Sequence, residues 1–291
     1  MKPLLYWSIC WLSTLAQLQA SPESADSNAI RDYWFNGAEI NHYELSQNRY
    51  GQQHPGHVEF IFVTEPFLTE QQVKQESGTG ASTDVLKLNA LRTFNTGIYS
   101  YRTMTSTFSP IDLQAYPHAL KSTTSVQDWC GQAFQQINRS VDGWRVQLRS
   151  YFQNEADQDF VLGDAWLEDE LWLRVRLNPE QLPSGEFEMI PAALYTRFAH
   201  QPIQSARALG RLIRKSERST YTVTYPELGR QLMIEFDTAF PHVIREWSES
   251  DHNGTTRATL THRRVNSEYW SENHPADRSK RKQLGLAPLA D

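Results

Sequence analysis

The chain has 291 residues, and its hydrophobic fraction of 39% is enough for a sizeable core, which excludes a wholly disordered protein. Its formal net charge of -6 argues against general binding to the phosphate backbone of nucleic acids, which requires a basic surplus. The 2 cysteines are too few for a disulfide-dense or cysteine-rich zinc scaffold.

The first 20 residues have the pattern of a secretory signal peptide. Lys2 precedes a short apolar stretch, and residues 18–20 form an acceptable cleavage site. The apolar stretch is shorter than the roughly 20 residues that cross a bilayer, and a retained N-terminal anchor is the alternative. No later segment reaches that length, so we expect no membrane span in the mature chain. The sequence therefore predicts an exported protein, periplasmic or secreted, with residues 21–37 as a flexible lead.

The clearest strand signals lie in the next block of the sequence. Residues 39–50 and 57–67 predict a long hairpin, and its second half is rich in β-branched and aromatic residues. Residues 98–108 predict a strand in which neither face is plainly apolar, so one face can meet a polar interior or a ligand. The candidate ligand-binding residues share one face of this strand: Tyr99, Tyr101, Thr103 and Thr105.

A helical period then replaces the strand pattern. Apolar residues recur at a spacing of four from Leu167 to Val175, and Pro179 ends the run because the residue before a proline avoids the helical region. The three acidic residues 168–170 favour the positive N-terminus of such a helix. Since adjacent positions on a helix point in different directions, we do not expect these three carboxylates to form one site.

Strand patterns resume after this helix and are separated by short turns. Short turns imply antiparallel pairing, whereas parallel strands need a helix between them. The sequence therefore predicts a single mainly-β (α+β) domain over residues 38–270. Its large curved antiparallel sheet is expected to be open and half-barrel-like, wrapping one amphipathic helix over residues 166–177. Residues 271–291 are predicted to form a flexible basic tail.

Two residues are weak candidates for catalysis. Cys130 needs an adjacent base to act as a nucleophile, and neither the papain-type nor the thioredoxin-type pattern surrounds it, so a buried free cysteine is the plainer interpretation. His242 can serve as a general base, although a hydrogen-bonded histidine at a strand start is commoner. His54 and His57 lack a nameable third ligand. Because motifs for hydrolases, nucleotides and metals are missing, we expect no metal and no cofactor.

Several segments resemble an uncharacterised family of exported bacterial proteins that often carries the label "septum formation inhibitor Maf". They are residues 36–51, 62–67, 94–110, 127–134, 167–172 and 240–247. Genuine Maf proteins are cytoplasmic nucleotide pyrophosphatases with a Ser-x-Ser-Pro-Arg-Arg-like start, and residues 106–111 lack the arginines. The resemblance implies export and a shared organisation, and it transfers no catalytic residue. The layout of hairpins around one helix is also similar to the open half-barrels of periplasmic lipoprotein carriers.

Three functions remain open at this level. The first is a non-enzymatic envelope protein that binds a lipid or another apolar or amphipathic molecule in the concavity of the sheet, or that binds an envelope protein. The second is a hydrolase that uses Cys130 or His242 in a cleft. The third is a structural or assembly factor of the cell envelope that binds partners along strand edges.

Overall fold

The computed structural model of the protein describes residues 27–286, and strands make up most of that range. The helices are α1 (Ser27–Trp34), α2 (Leu171–Leu177) and α3 (Ala193–Ala199), with 3-10 turns at Glu168–Glu170, Pro179–Gln181 and Pro275–Leu284. The strands are β1 (Ala38–Arg49), β2 (Gln52–Leu68), β3 (Val73–Lys74), β4 (Ser82–Thr96), β5 (Tyr99–Pro110), β6 (Lys121–Asp128), β7 (Gly131–Ser140), β8 (Gly143–Ser150), β9 (Gln158–Leu162), β10 (Trp166–Leu167), β11 (Gly185–Ile190), β12 (Ala206–Ile213), β13 (Arg218–Tyr225), β14 (Arg230–Asp237), β15 (Ile244–Asp251) and β16 (Gly254–Ser267).

All these strands belong to one sheet. Its order is β10-β11-β12-β13-β14-β15-β16-β1-β2-β4-β5-β6-β7-β8-β9, and β3 pairs with β2 beside this path. Within the described range the pairing is antiparallel except between the short strands β10 and β11. The path does not close, because β9 and β10 lie at its two ends. The predicted mainly-β fold with one large, open antiparallel sheet is confirmed.

The sheet curves until its two ends approach each other. Trp144 of β8, Leu167 of β10 and Ile190 of β11 are buried in one hydrophobic cluster, although their strands lie at opposite ends of the strand order. The indole nitrogen of Trp144 also donates a hydrogen bond of 2.8 Å to the carbonyl oxygen of Ala165, between β9 and β10. The ends are therefore joined by side-chain packing rather than by a ladder of backbone hydrogen bonds.

Helix α2 fills the concave face of the sheet and differs from the predicted helix. Trp166 and Leu167 belong to β10 instead, and the acidic residues that follow form the 3-10 turn. Six of the seven residues of α2 are buried, including Arg174 and Arg176, so the helix is not amphipathic. The physical reason is that the sheet surrounds α2, which leaves no solvent-facing side for its polar residues.

A buried ion pair fixes α2 against the first strand. The guanidinium of Arg176 donates two hydrogen bonds, of 2.7 and 2.8 Å, to the carboxylate of Glu39 on β1. The same guanidinium lies over the rings of Trp34 and Phe62, 4.8 and 4.6 Å from their centroids. Burial alone raises the pKa of Glu39, but Arg176 and the hydrogen bonds from Arg176 and Arg263 bring it well below its usual range.

The two ends of the described range also pack on the sheet. The sequence assigns residues 27–34 to a flexible lead, whereas they form α1, and Trp34 at its end is buried because its ring packs on the core. Likewise residues 275–284 of the predicted flexible tail form a 3-10 helix in which Leu284 is buried. The predicted signal peptide, residues 1–20, lies outside the described residues. No helix of the described range is long and apolar enough to cross a membrane.

We predict that replacing Arg176 with Met destabilises the protein by about 3–5 kcal/mol, because the carboxylate of Glu39 loses its main buried partner. The double variant Glu39→Gln with Arg176→Met should recover part of this loss, since no buried carboxylate is then left unpaired and Arg263, the other partner of Glu39, is partly exposed to solvent. Urea unfolding of the four proteins in the cycle measures both effects. Additive losses would show that the two residues do not act as a pair.

Candidate functional site

One end of the sheet, here called the mouth, carries the turns β1–β2, β4–β5, β6–β7, β13–β14 and β15–β16. They share this end because consecutive strands run antiparallel. Helix α3 follows the end of β11 and lies across the mouth. It closes with His200 in the left-handed region at φ 52°. Beneath α3 is a cleft of about 320 Å³, here called the mouth cleft.

Aromatic rings and an arginine form one wall of the mouth cleft. The guanidinium of Arg49 lies 4.5 Å from the ring centroid of Tyr50, 4.8 Å from that of Phe198 and 5.5 Å from that of Tyr101. The hydroxyl groups of Tyr50 and Tyr101 are 2.8 Å apart, and Tyr99 donates to Tyr50 at 3.0 Å. Burial and these hydrogen bonds raise the pKa of Tyr101, so its hydroxyl stays protonated. The wall is therefore apolar and carries a cation.

Buried ion pairs form the floor of the mouth cleft. Arg230 of β14 pairs with Glu168, whose carboxylate also accepts a hydrogen bond of 2.5 Å from the hydroxyl of Tyr225. Arg92 donates two hydrogen bonds, of 2.7 and 3.1 Å, to Glu249 of β15. The pKa of Tyr225 is raised well above its usual value, mainly by burial and also by the neighbouring Glu168. The charges of the floor thus neutralise one another.

A small cavity with a mixed polar and apolar lining lies under this floor and shares Leu194 and Glu249 with the mouth cleft. Its volume is about 40 Å³, and Thr103, Thr105 and Asp169 are among its lining residues. That volume accepts a water molecule or two. Among the described residues, α2 and the hydrophobic core occupy much of the concave face, where the sequence places an apolar ligand.

Asp169 is the one acidic residue of the Glu168–Glu170 turn without an ion-pair partner in the described range. Its carboxylate accepts only long hydrogen bonds, of 3.4 Å from the Ser122 hydroxyl and 3.5 Å from the Ala193 backbone amide. Burial and the neighbouring Glu168 raise the pKa of Asp169 to about 7. Its carboxyl therefore changes charge close to neutral pH.

The three acidic residues point in different directions, as the sequence indicates, but helix electrostatics is not their main role. Glu168 binds Arg230, and Asp169 faces the inner cavity. Glu170 accepts hydrogen bonds from the backbone amides of Ala119 and Leu167, at 2.5 and 3.1 Å. Each is buried and ties the start of α2 to a different part of the sheet.

The structure places the predicted face of β5 partly against Tyr50, which lines the mouth cleft, and partly in the inner cavity. Tyr99 and Tyr101 lie in the aromatic wall at the mouth, and Thr103 and Thr105 line the inner cavity. Their inward direction follows from the alternation of buried residues along the strand. A ligand-binding role for these four residues stays a prediction.

The two weak catalytic candidates lie at opposite ends of the sheet. Cys130 is exposed in the β6–β7 turn at the mouth, contrary to a buried thiol, and its backbone amide donates to Asp128 at 2.7 Å. His242 lies in the β14–β15 loop at the other end, 3.3 Å from the carbonyl oxygen of Asp237. Burial lowers the pKa of His242. Because of this separation, the two residues cannot act on one substrate as nucleophile and base.

The residues of the mouth cleft that the sequence missed come from distant parts of the chain. Arg49 ends β1, Tyr195 and Phe198 lie on α3, and Glu249 lies on β15. No local motif links them. One signal in the sequence could have indicated a buried charge near the cleft, namely an arginine at an inward position of a strand. Arg92 is an example, because its neighbours on the same face of β4 are apolar.

A second, wider groove of about 940 Å³, here called the seam groove, lies beside the free end of the sheet at β9. Phe152, Gln153 and Phe160 are among its lining residues. Glu155 also lines this groove and binds Arg197 and His200 at 3.0 and 3.1 Å, and His200 lines the mouth cleft as well. Across residues 27–286, no group of three or more His, Cys, Asp or Glu side chains could hold a metal ion.

Comparison with known proteins assigns no activity to this cleft. No protein-family model matches the chain, and no curated protein shows significant similarity to it. Among solved structures, the chain is similar to the crystal structure of a beta-barrel-like protein of a domain of unknown function, DUF1849, from Brucella abortus. The sequence identity is 9% and the TM-score is 0.48, and the match covers 79% of this chain and 98% of that chain.

We predict that replacing Asp169 with Asn changes how stability depends on pH. The folded-state pKa of about 7 lies above the usual value of 3.8, so the native state keeps a proton that the unfolded chain releases. The bound proton makes its full contribution to the free energy of unfolding below about pH 4, and this contribution is lost as the pH rises through about 7. The variant should therefore gain up to about 4 kcal/mol relative to the wild type between pH 4 and pH 8.

Urea unfolding of both proteins at the two pH values measures this difference. The variant Asp159→Asn is the control, because Asp159 is exposed on β9. A stability difference between Asp169→Asn and wild type that is the same at both pH values would mean that Asp169 does not titrate in this range.

Proposed function

We propose that the protein is a non-enzymatic binding protein of the bacterial cell envelope that holds a small amphipathic ligand in the mouth cleft. The observation that carries this proposal is the juxtaposition of an aromatic wall and a charged floor in one cleft of about 320 Å³. Ligand sites commonly combine such apolar walls with a few fixed polar groups. Export and the envelope location rest on the signal-peptide pattern and on the resemblance of the sequence to exported proteins.

The walls of the cleft suit the apolar part of such a ligand. The rings of Tyr50, Tyr195 and Phe198 line it, and all three are at least partly accessible to solvent. Arg230 lies over the ring of Tyr195, 4.4 Å from its centroid, and so holds this wall against the floor. Covering an aromatic ring with a ligand removes apolar area from water, which favours binding by about 25 cal/mol per Å².

The arrangement of charges favours binding over catalysis. The floor carries Arg230 paired with Glu168 and Arg92 paired with Glu249, and a paired charge is a poor proton acceptor or nucleophile. The hydrolase alternative needs Cys130 or His242 beside a partner in a cleft. His242 lies at the opposite end of the sheet from the cleft, and Cys130 is exposed on a turn. These positions support the binding function.

We predict that the protein binds the neutral dye N-phenyl-1-naphthylamine in the mouth cleft and that Ala199→Trp abolishes this binding. Ala199 lines the cleft at the end of α3, so an indole there occupies the space of the ligand. Dye fluorescence during titration measures the affinity. Native mass spectrometry of protein purified from its own envelope identifies the physiological ligand and should show an adduct that is lost in the same variant.

The matched control is Gln153→Trp, which places the same side chain in the seam groove. This variant should bind the dye like the wild type. Equal binding by all three proteins would place the dye elsewhere and contradict the proposal, and so would the lack of binding to the wild type.

A further inference from the structure

Arg49 differs from the other arginines at the mouth cleft. Arg230 and Arg92 are each neutralised by a carboxylate, Glu168 and Glu249 respectively. In the described part of the chain no carboxylate forms an ion pair with Arg49, whose Nη1 instead donates to the carbonyl oxygen of Phe198 at 2.7 Å. The cleft therefore contains a positive charge that the protein itself does not neutralise.

The guanidinium of Arg49 also has hydrogen-bonding capacity left. It carries five N–H donors, and its Nε is buried without a hydrogen-bond partner. Because Nε is out of contact with solvent, a ligand in the cleft would meet the guanidinium through its Nη groups, which have more N–H donors than the Phe198 carbonyl uses. The rings of Tyr50, Phe198 and Tyr101 pack around the guanidinium and hold it in place before any ligand arrives.

The carboxylates that line the cleft are already engaged. Glu249 accepts two hydrogen bonds from Arg92, and Asp251 accepts a hydrogen bond of 2.7 Å from the backbone amide of Asn253 in the β15–β16 turn. A cationic ligand would compete with Arg92 for Glu249, whereas Asp251 has no ion pair in the described range. An anionic ligand meets Arg49 without breaking an ion pair.

We propose that the ligand of the mouth cleft is a free organic anion, with a carboxylate, sulfonate or phosphate group bound by Arg49 and an apolar body against Tyr195 and Phe198. This inference rests on the proposed binding function and specifies its ligand class. Arginine suits the task because its planar fork binds such oxyanions through two parallel hydrogen bonds.

The test compares two dyes with a related aromatic body. One is 1-anilinonaphthalene-8-sulfonate, and the other is N-phenyl-1-naphthylamine, which lacks the sulfonate. The wild type should bind the sulfonate dye more tightly. Arg49→Met should weaken the binding of the sulfonate dye by about tenfold or more while the neutral dye still binds. Arg149→Met is the control, because Arg149 lies on β8 outside the cleft and pairs with Asp159.

Each outcome decides one question. If the wild type binds both dyes equally, or if Arg49→Met keeps the preference for the sulfonate, the anion inference is overturned and the binding function stands. If neither dye binds, both proposals fail. Should Arg49→Met not fold, the wild type still decides, because added salt must weaken the binding of the sulfonate dye much more than that of the neutral dye. Equal salt dependence overturns the inference.

Discussion

The fold depends on finding partners for the charges that α2 and its preceding turn carry into the interior of the sheet, among which Asp169 is the exception. Moving a charge out of water costs several kcal/mol, and only well-placed partners offset that cost. Arg176 meets Glu39 of β1, and Glu170 meets backbone amides beside β6 and β10. Since these partners lie in different parts of the sheet, the contacts together fix the position of the helix.

The same requirement links the core to the mouth cleft. Glu168 belongs to the turn that leads into α2, yet its partner Arg230 lines the cleft. Asp169, the next residue, reaches the cavity beneath the floor and is poorly satisfied there. A buried carboxyl with weak partners lowers stability, and such groups are common at functional sites. One short turn therefore positions the helix and supports the floor of the cleft.

The sequence predicts those features that depend on local patterns. Alternation along β5 groups Thr103 and Thr105 on one face without telling which face points inward, and short turns indicate antiparallel pairing. The helix is shorter than the segment over which apolar residues recur at helical spacing. The reason is that Trp166 and Leu167 pair with β11, and no local pattern in the sequence encodes that contact. The sequence does not predict the cleft either, because the contact between Arg49 and Phe198 forms only when the sheet curves and depends on no local pattern.

The seam between β9 and β10 is the one point of the circumference of this sheet where no backbone ladder sets the register, within the part of the chain that the structure describes. A sheet that closes through backbone hydrogen bonds has a fixed girth, because strand number and stagger set it. Here one junction consists of buried side chains such as Trp144 and Leu167, so their packing sets the girth at that point. The same cluster contains Ile190 at the end of β11, shortly before the helix that lies across the mouth. Side-chain packing on the side wall of the molecule therefore helps to position the helix above the cleft.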